Sequence, residues 1–431
     1  LTRIDVQAPP ERPYRPRLVA LFDALGRAAA HAGLRPSLDP DSLIAAARRQ
    51  TGLADFGGDE WFREPLARLT DSMEREARLT PLGRVVMRGQ LVRNLGARLR
   101  TVKLLAEHPE IRDLPLDRLI VIAGLQRTGT TMLHRHLGAM PGARALLSWE
   151  ALSPLPLPGE APDDPRKRIA AARMAERGVR YLAPAFFAIH PVEHDAPEED
   201  VLLLDHSFMS QAPEATMHVP GYAAWLEKQD QRRAYEHMAL LLRILLWQRP
   251  GSHWVLKTPH HLEYLEALLD VLPGARVVQT HRDPRRTTAS FCSMVTHGRG
   301  IFSDHVDPRE VGRHWMRKID HVVHAAMHAR ERLPPDRFLD VSYYDLMEDP
   351  IGQLERIHAF AGLPFGDAER EVARRTRERN VQHKYGRHRY TLADFGLSES
   401  EIERRLGDYC AHHAIPREGD GRAGAAPDGP A

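Results

Sequence analysis

Five apolar residues, Leu119-Ile120-Val121-Ile122-Ala123, run directly into Gly124-Leu-Gln-Arg-Thr-Gly-Thr-Thr131, and a helical pattern follows from Thr130 to about Ala139. A strand apolar at every position, rather than at alternate ones, needs cover on both faces. A glycine-bearing turn between such a strand and a helix opens a parallel strand–helix unit. This stretch confines the chain to the α/β class: a P-loop-like three-layer core with a central parallel sheet. Three further strands are expected at His253–Leu256, Arg276–His281 and Phe338–Ser342. Helical spacing is expected over Arg232–Trp247, Leu262–Leu272, Pro284–Thr296, about Val311–Leu333 and Gln353–Phe360.

Upstream, Leu18, Leu21, Phe22 and Leu25, and later Leu91, Leu95, Leu99 and Leu104, recur at helical spacing, so residues 1–110 form a helical N-terminal region. The α/β domain then occupies 111–417. Between about 153 and 220, prolines and scattered acids (Glu193, Glu198, Glu199, Asp200) mark an insertion of loops and short helices, a place for a substrate lid. Residues 418–431, rich in Gly, Ala, Asp and Pro, read as a disordered tail.

With 60 basic against 58 acidic residues, the net charge of +2 supplies no global field for nucleic acid or an anionic membrane. Cys292 and Cys410 are too few for a disulfide framework or a cysteine-rich zinc site. The longest apolar run, Ala239–Trp247, is interrupted by Arg243 and falls far short of a membrane span. A cytoplasmic protein without an integral membrane segment is the simplest expectation. Its oligomeric state is not legible.

The glycine spacing in Gly124–Thr131 is that of a Walker A loop, whose backbone amides and following helix N-terminus cradle a phosphate. The lysine of the NTPase motif is replaced by Thr130, which removes the β/γ-phosphate clamp. Positive charge appears instead at Arg127. The segment Arg127-Thr128-Gly129-Thr130-Thr131 resembles the 5′-phosphosulfate loop of sulfotransferases that use 3′-phosphoadenosine 5′-phosphosulfate (PAPS), P-[KR]-[ST]-G-T-T, with Gln126 where that family has proline. Farther on, Arg276-Val-Val-Gln-Thr-His-Arg282-Asp283-Pro284 is a strand ending in a cation, with Ser290 eight residues later. This resembles the family's 3′-phosphate element, and a phosphate dianion favours a guanidinium with a hydroxyl donor. Lys384-Tyr385-Gly386-Arg387 resembles the family's C-terminal basic loop over the 3′-phosphate and adenine. The likeness spans about Leu119 to Tyr390 and is greatest to bacterial enzymes related to the tyrosylprotein type.

The resemblance implies sulfuryl transfer from PAPS, as co-substrate, to an acceptor hydroxyl or amine on a small molecule, glycan or peptide, with no metal required. Nucleotide-binding residues would be Arg127, Thr128, Gly129, Thr130, Thr131, Arg282, Ser290, Lys384, Gly386 and Arg387. Arg127 would also stabilise charge on the bridging oxygen. As general base the resemblance offers Glu150, in Leu147-Ser-Trp-Glu150. It also offers a histidine of Lys257-Thr-Pro-His260-His261, with Lys257 as the sulfuryl-contacting cation and His261 a catalytic candidate. His321, His324 and His328 share a helical face, but no complete zinc set can be named, and no metal is assigned. Two other readings stay open: a P-loop kinase or NTPase, and a nucleotide-binding module without chemistry.

Overall fold

The computed structural model describes residues 13–379 and 388–418, together with the two-residue strand Val6–Gln7. Five strands make one parallel sheet: β1 (Leu119–Ile122), β2 (Ala143–Ala145), β3 (His253–Lys257), β4 (Ala275–His281) and β5 (Phe338–Ser342), in the order β2-β3-β1-β4-β5. All four residues of β1 are buried.

Alternate strand residues face opposite ways, and the two sets build two halves of the core. Ile120 and Ile122 join Val255, Val278 and Val341 against Leu133 and Leu137 of the helix Thr130–Gly138. Leu119 and Val121 join Trp254, Leu256 and Val277 against Leu242, Phe291 and Trp315. These last three belong to the helices Arg232–Gln248, Pro284–Phe302 and Pro308–Arg332. Each such buried aliphatic side chain contributes about 1.5–3 kcal/mol. Three layers result.

The N-terminal helices Arg17–His31, Pro40–Thr51, Arg63–Arg75 and Pro81–Glu107 match the helical reading. Two of them begin with a capped proline turn: Asp39 accepts from Ser42 N, and Thr80 accepts from Gly83 N. Their apolar faces, through Leu43, Leu66, Leu91 and Leu95, belong to the same core as the second sheet face. The insertion contains the helices Arg166–Leu182 and Pro184–Ile189.

Strand β2 was not anticipated. It is three residues long with an arginine at its centre, too short and too polar for a strand pattern. The helices Asp367–Arg379 and Glu399–His412 were also missed, since each is dominated by charged residues and buries few side chains.

The chain passes from β1 outward to β2, returns to β3, and crosses beneath β1 to β4. The order therefore reverses around β1, and open parallel sheets bind ligands beyond the carboxyl ends of the strands at such a point. Register brings specific residues there. Ile122 pairs with Lys257 on one side and with Val278 on the other. The loop after β1, the end of β3 and the end of β4 consequently share one edge.

Candidate active site

The loop after β1 is packed too tightly to hold a side chain at Gly124. A Cβ there would lie 2.0 Å from Thr280 Oγ1 of β4. Thr128 fastens the loop from inside, sharing a hydrogen bond of 2.6 Å with Thr280 Oγ1 and donating to Leu125 O at 2.6 Å. Gly129 has φ of 87°, and a Cβ on it would come within 3.1 Å of the Tyr343 ring. Arg127 also takes a left-handed conformation, φ 72°, which costs a residue with a Cβ about 1–2 kcal/mol. From there the side chain reaches across the sheet edge: Arg127 Nε donates to Ser290 Oγ at 3.1 Å. Behind the loop, the first-turn amides of Thr130–Gly138 have no acceptor within the helix. Thr130 is buried there and Thr131 exposed.

Arg282 stands one residue beyond β4. Its Nη1 donates to Arg127 O at 3.3 Å, and its guanidinium lies 4.1 Å from the centre of the Tyr343 ring. Asp283 caps the next helix, accepting from Arg285 N at 3.0 Å, with Pro284 in the first turn. Two turns along, that helix delivers Ser290 to Arg127. The residues that the sequence placed in two distant anchors, Arg127 on one side and Arg282 with Ser290 on the other, are therefore joined by direct contacts. Among the described residues, Glu418 also pairs with Arg282 at 2.7 Å. Lys384, Gly386 and Arg387 lie outside the described residues.

At the end of β3, Lys257 buries its stem and forms an ion pair with Glu199. Thr258 Oγ1 reaches the other oxygen of the same carboxylate at 3.4 Å. The segment carrying Glu199 is held from below. The wholly buried Asp200 accepts Lys257 N at 2.8 Å through one oxygen and meets His261 Nε2 at 2.8 Å through the other. His261 Nδ1 in turn lies 2.8 Å from Tyr235 Oη. Burial would raise the Asp200 pKa, but His261 and the amide donors outweigh it and hold the carboxylate ionised. Glu198 accepts from Ser148 Oγ at 3.0 Å. Burial, reinforced by the Lys257 charge, pushes His134 down to about 3. It likewise lowers His190, which feels the charges of Glu198, Glu199, Lys257 and Arg127. Both imidazoles are neutral near pH 7.

This geometry bears on both residues expected as the base. His261 sits in the buried Asp200–His261–Tyr235 chain that holds the strand end, 2.8 Å from a partner at each ring nitrogen. Glu150, 1% exposed, receives two hydrogen bonds from Arg144 (2.7 and 3.0 Å), two from Arg249 (3.2 Å each) and one from Leu147 N (2.9 Å). Burial alone would raise its pKa, but the two arginines outweigh burial and depress it. A saturated carboxylate with low proton affinity is a poor base. It is instead the acceptor that lets Arg144 be buried in the middle of β2. Glu199, seen in the sequence only as one of several scattered acids, is the carboxylate at the strand edge. The run Glu198-Glu199-Asp200 was the available signal, but nothing in sequence distance connected it to Lys257.

Two other clusters bring three metal-ligand types together: His281, Asp340 and His413, and Glu227, Glu263 and His321. Cations already occupy both. Arg330 donates to the two oxygens of Asp340 at 2.6 and 2.8 Å, and Lys318 lies 2.7 Å from Glu263 and 3.0 Å from Glu227. His324 pairs with Asp408 at 2.9 Å.

Comparison with known proteins decides the family. The profile described as Sulfotransferase family matches residues 119–367, more than half of the chain. The chain belongs to the sulfotransferase family. Among solved sulfotransferase structures, STF1 from Mycobacterium tuberculosis H37Rv is 33% identical with a TM-score of 0.74, over 85% of this chain and 98% of that one. STF9 from Mycobacterium avium is 28% identical with a TM-score of 0.79, over 88% and 97%. A curated relative from Mycobacterium bovis, omega-hydroxy-beta-dihydromenaquinone-9 sulfotransferase Stf3, is 30% identical over 126 residues. That match covers 27% of this chain and 29% of the relative's length. The family match begins at the first residue of β1 and contains Arg127, Glu199, Lys257, Arg282 and Ser290. No helix among the described residues is long and apolar enough to cross a membrane.

Proposed function

We propose that this sulfotransferase-family protein transfers the sulfuryl group of PAPS to a hydroxyl on a small acceptor. One observation carries the reading: Arg127, Arg282 and Ser290, 163 residues apart at the extremes, meet at the carboxyl edge of β1 and β4. Such a cluster of guanidinium and hydroxyl donors, beside a helix N-terminus, fits a nucleotide with phosphate at both ends. Family membership supports PAPS over ATP, as does Thr130 in place of the NTPase lysine.

When bound, the nucleotide supplies an electrophilic sulfuryl group and a phosphate leaving group. The chain's residues do the rest. Arg282 and Ser290 hold the 3′-phosphate, while the loop amides and the Thr128–Thr131 segment hold the 5′ end. Arg127 faces the oxygen on which charge grows as the S–O bond to the nucleotide breaks. Lys257 neutralises the sulfuryl oxygens. Glu199 accepts the acceptor's hydroxyl proton as the new O–S bond forms. Its present ion pair with Lys257 fits this division of labour, since drawing the ammonium toward a sulfuryl group frees the carboxylate lone pair. The name of the Stf3 relatives supports a lipid hydroxyl of the menaquinone type as the acceptor class.

Arg282→Ala is expected to weaken binding of 3′-phosphoadenosine 5′-phosphate (PAP) by about 2–5 kcal/mol, roughly 30-fold or more. Its melting temperature should stay close to that of the parent. Titration calorimetry with PAP measures the first and a thermal melt the second. Unchanged PAP affinity removes the nucleotide assignment. Incubating extracts with PAPS labelled in the sulfate and identifying labelled products by mass spectrometry tests the acceptor class.

A further inference from the structure

The chain brings its own anion to the Arg282 anchor. Glu418 Oε1 lies 2.7 Å from Arg282 Nε, and Oε2 lies 3.3 Å from Nη2. Tyr344 Oη donates to Oε1 at 3.2 Å, and Arg286 Nε stands 3.6 Å from Oε2. The backbone is fixed as well as the side chain: Glu418 N donates to Asp283 Oδ2 at 2.9 Å, and Tyr344 Oη also reaches Pro416 O at 3.4 Å. The segment arrives from the helix Glu399–His412, whose Tyr409 hydroxyl shares a 2.9 Å hydrogen bond with His281 Nδ1, next to Arg282. Two guanidiniums and a phenol around one carboxylate form the donor set that a terminal phosphate would use. A carboxylate already seated on that set competes with such a phosphate.

We infer that Glu418 is a built-in competitor for the 3′-phosphate seat, and that the nucleotide binds by displacing it from Arg282, Arg286 and Tyr344. The inference rests on the PAPS reading and deepens it. Displacement is local: only the short stretch after His412 must move, while the helix stays docked on the sheet. The apparent affinity for PAP is then lowered by the fraction of molecules in which Glu418 is off the seat. Arg286, absent from the sequence motif, becomes a ligand of the 3′-phosphate once the carboxylate leaves.

The test uses the full chain with two probes, PAP and adenosine 5′-phosphate (AMP), which differ in the 3′-phosphate. Glu418→Gln keeps the size of the side chain and removes its charge. It should tighten PAP by about fivefold or more and leave AMP within about twofold. Arg286→Ala should weaken PAP several-fold and leave AMP unchanged. If PAP binds the parent but Glu418→Gln leaves its affinity the same, weakens it, or tightens AMP equally, the competitor role is overturned and the nucleotide site stands. A parent that binds no PAP overturns the nucleotide reading itself. Circular dichroism of each variant confirms that folding is unaffected, and Glu418→Ala gives an independent second removal of the carboxylate.

Discussion

Glu199→Gln lowers turnover by about 10²–10⁴-fold, the usual weight of a positioned general base, while PAP affinity stays near that of the parent. The glutamine keeps the volume and a hydrogen-bond acceptor but accepts no proton. The segment around it does not depend on the lost charge. Asp200 anchors it to Lys257 N and to His261, and Glu198 holds it to Ser148. Structural collapse would appear as lost PAP binding, so calorimetry and single-turnover sulfuryl transfer from labelled PAPS separate the two. Near-normal single-turnover rates would remove Glu199 from the chemistry and leave His190, neutral and within reach of the same charges, to be tested next.

Glu150→Ala destabilises the protein by about 3–5 kcal/mol, because it strands a buried guanidinium without its partner. Arg144 and Glu150 are both 1% exposed, and the arginine lies 4.6 Å from the centre of the Trp254 ring. Urea denaturation reads this directly as a shifted midpoint with an unchanged slope. The pH dependence follows from the depressed native pKa. The contribution is complete above the unfolded-state value of about 4.3. It is lost as the pH falls through the lower native value. A catalytic Glu150 would give the opposite result: normal stability with lost turnover in the folded variant.

These two glutamates also show where sequence reading succeeds and where it stops. Local rules covered the strand–loop–helix unit well. Uniform apolarity at Leu119–Ile122 requires two covered faces, and glycines at 124 and 129 are demanded by a 2.0 Å approach and a positive φ. The Asp283-Pro284 helix start and the Arg282–Ser290 spacing were equally local. The base was not. Glu150 stands at an attractive interval after the loop, but an interval along the chain carries no information about Arg144 and Arg249, which consume the carboxylate. Strand β2 escaped for the same reason: Arg144 looks incompatible with a buried strand until Glu150 arrives from the next helix, and the carbonyls of Leu245 and Arg249 from the end of a helix a hundred residues away.

The amino-acid sequence by itself determined the α/β architecture, the glycine loop after β1 and the places of the two cationic residues, because each depends on side-chain period, glycine conformation or helix capping within a few residues. Tertiary structure alone decided what surrounds each acid. Parallel register sets Lys257 level with Ile122, the insertion carries Glu199 to it, and two arginines pair with Glu150. Proton affinity is a property of the surroundings, and those surroundings are assembled from segments that the chain order keeps apart.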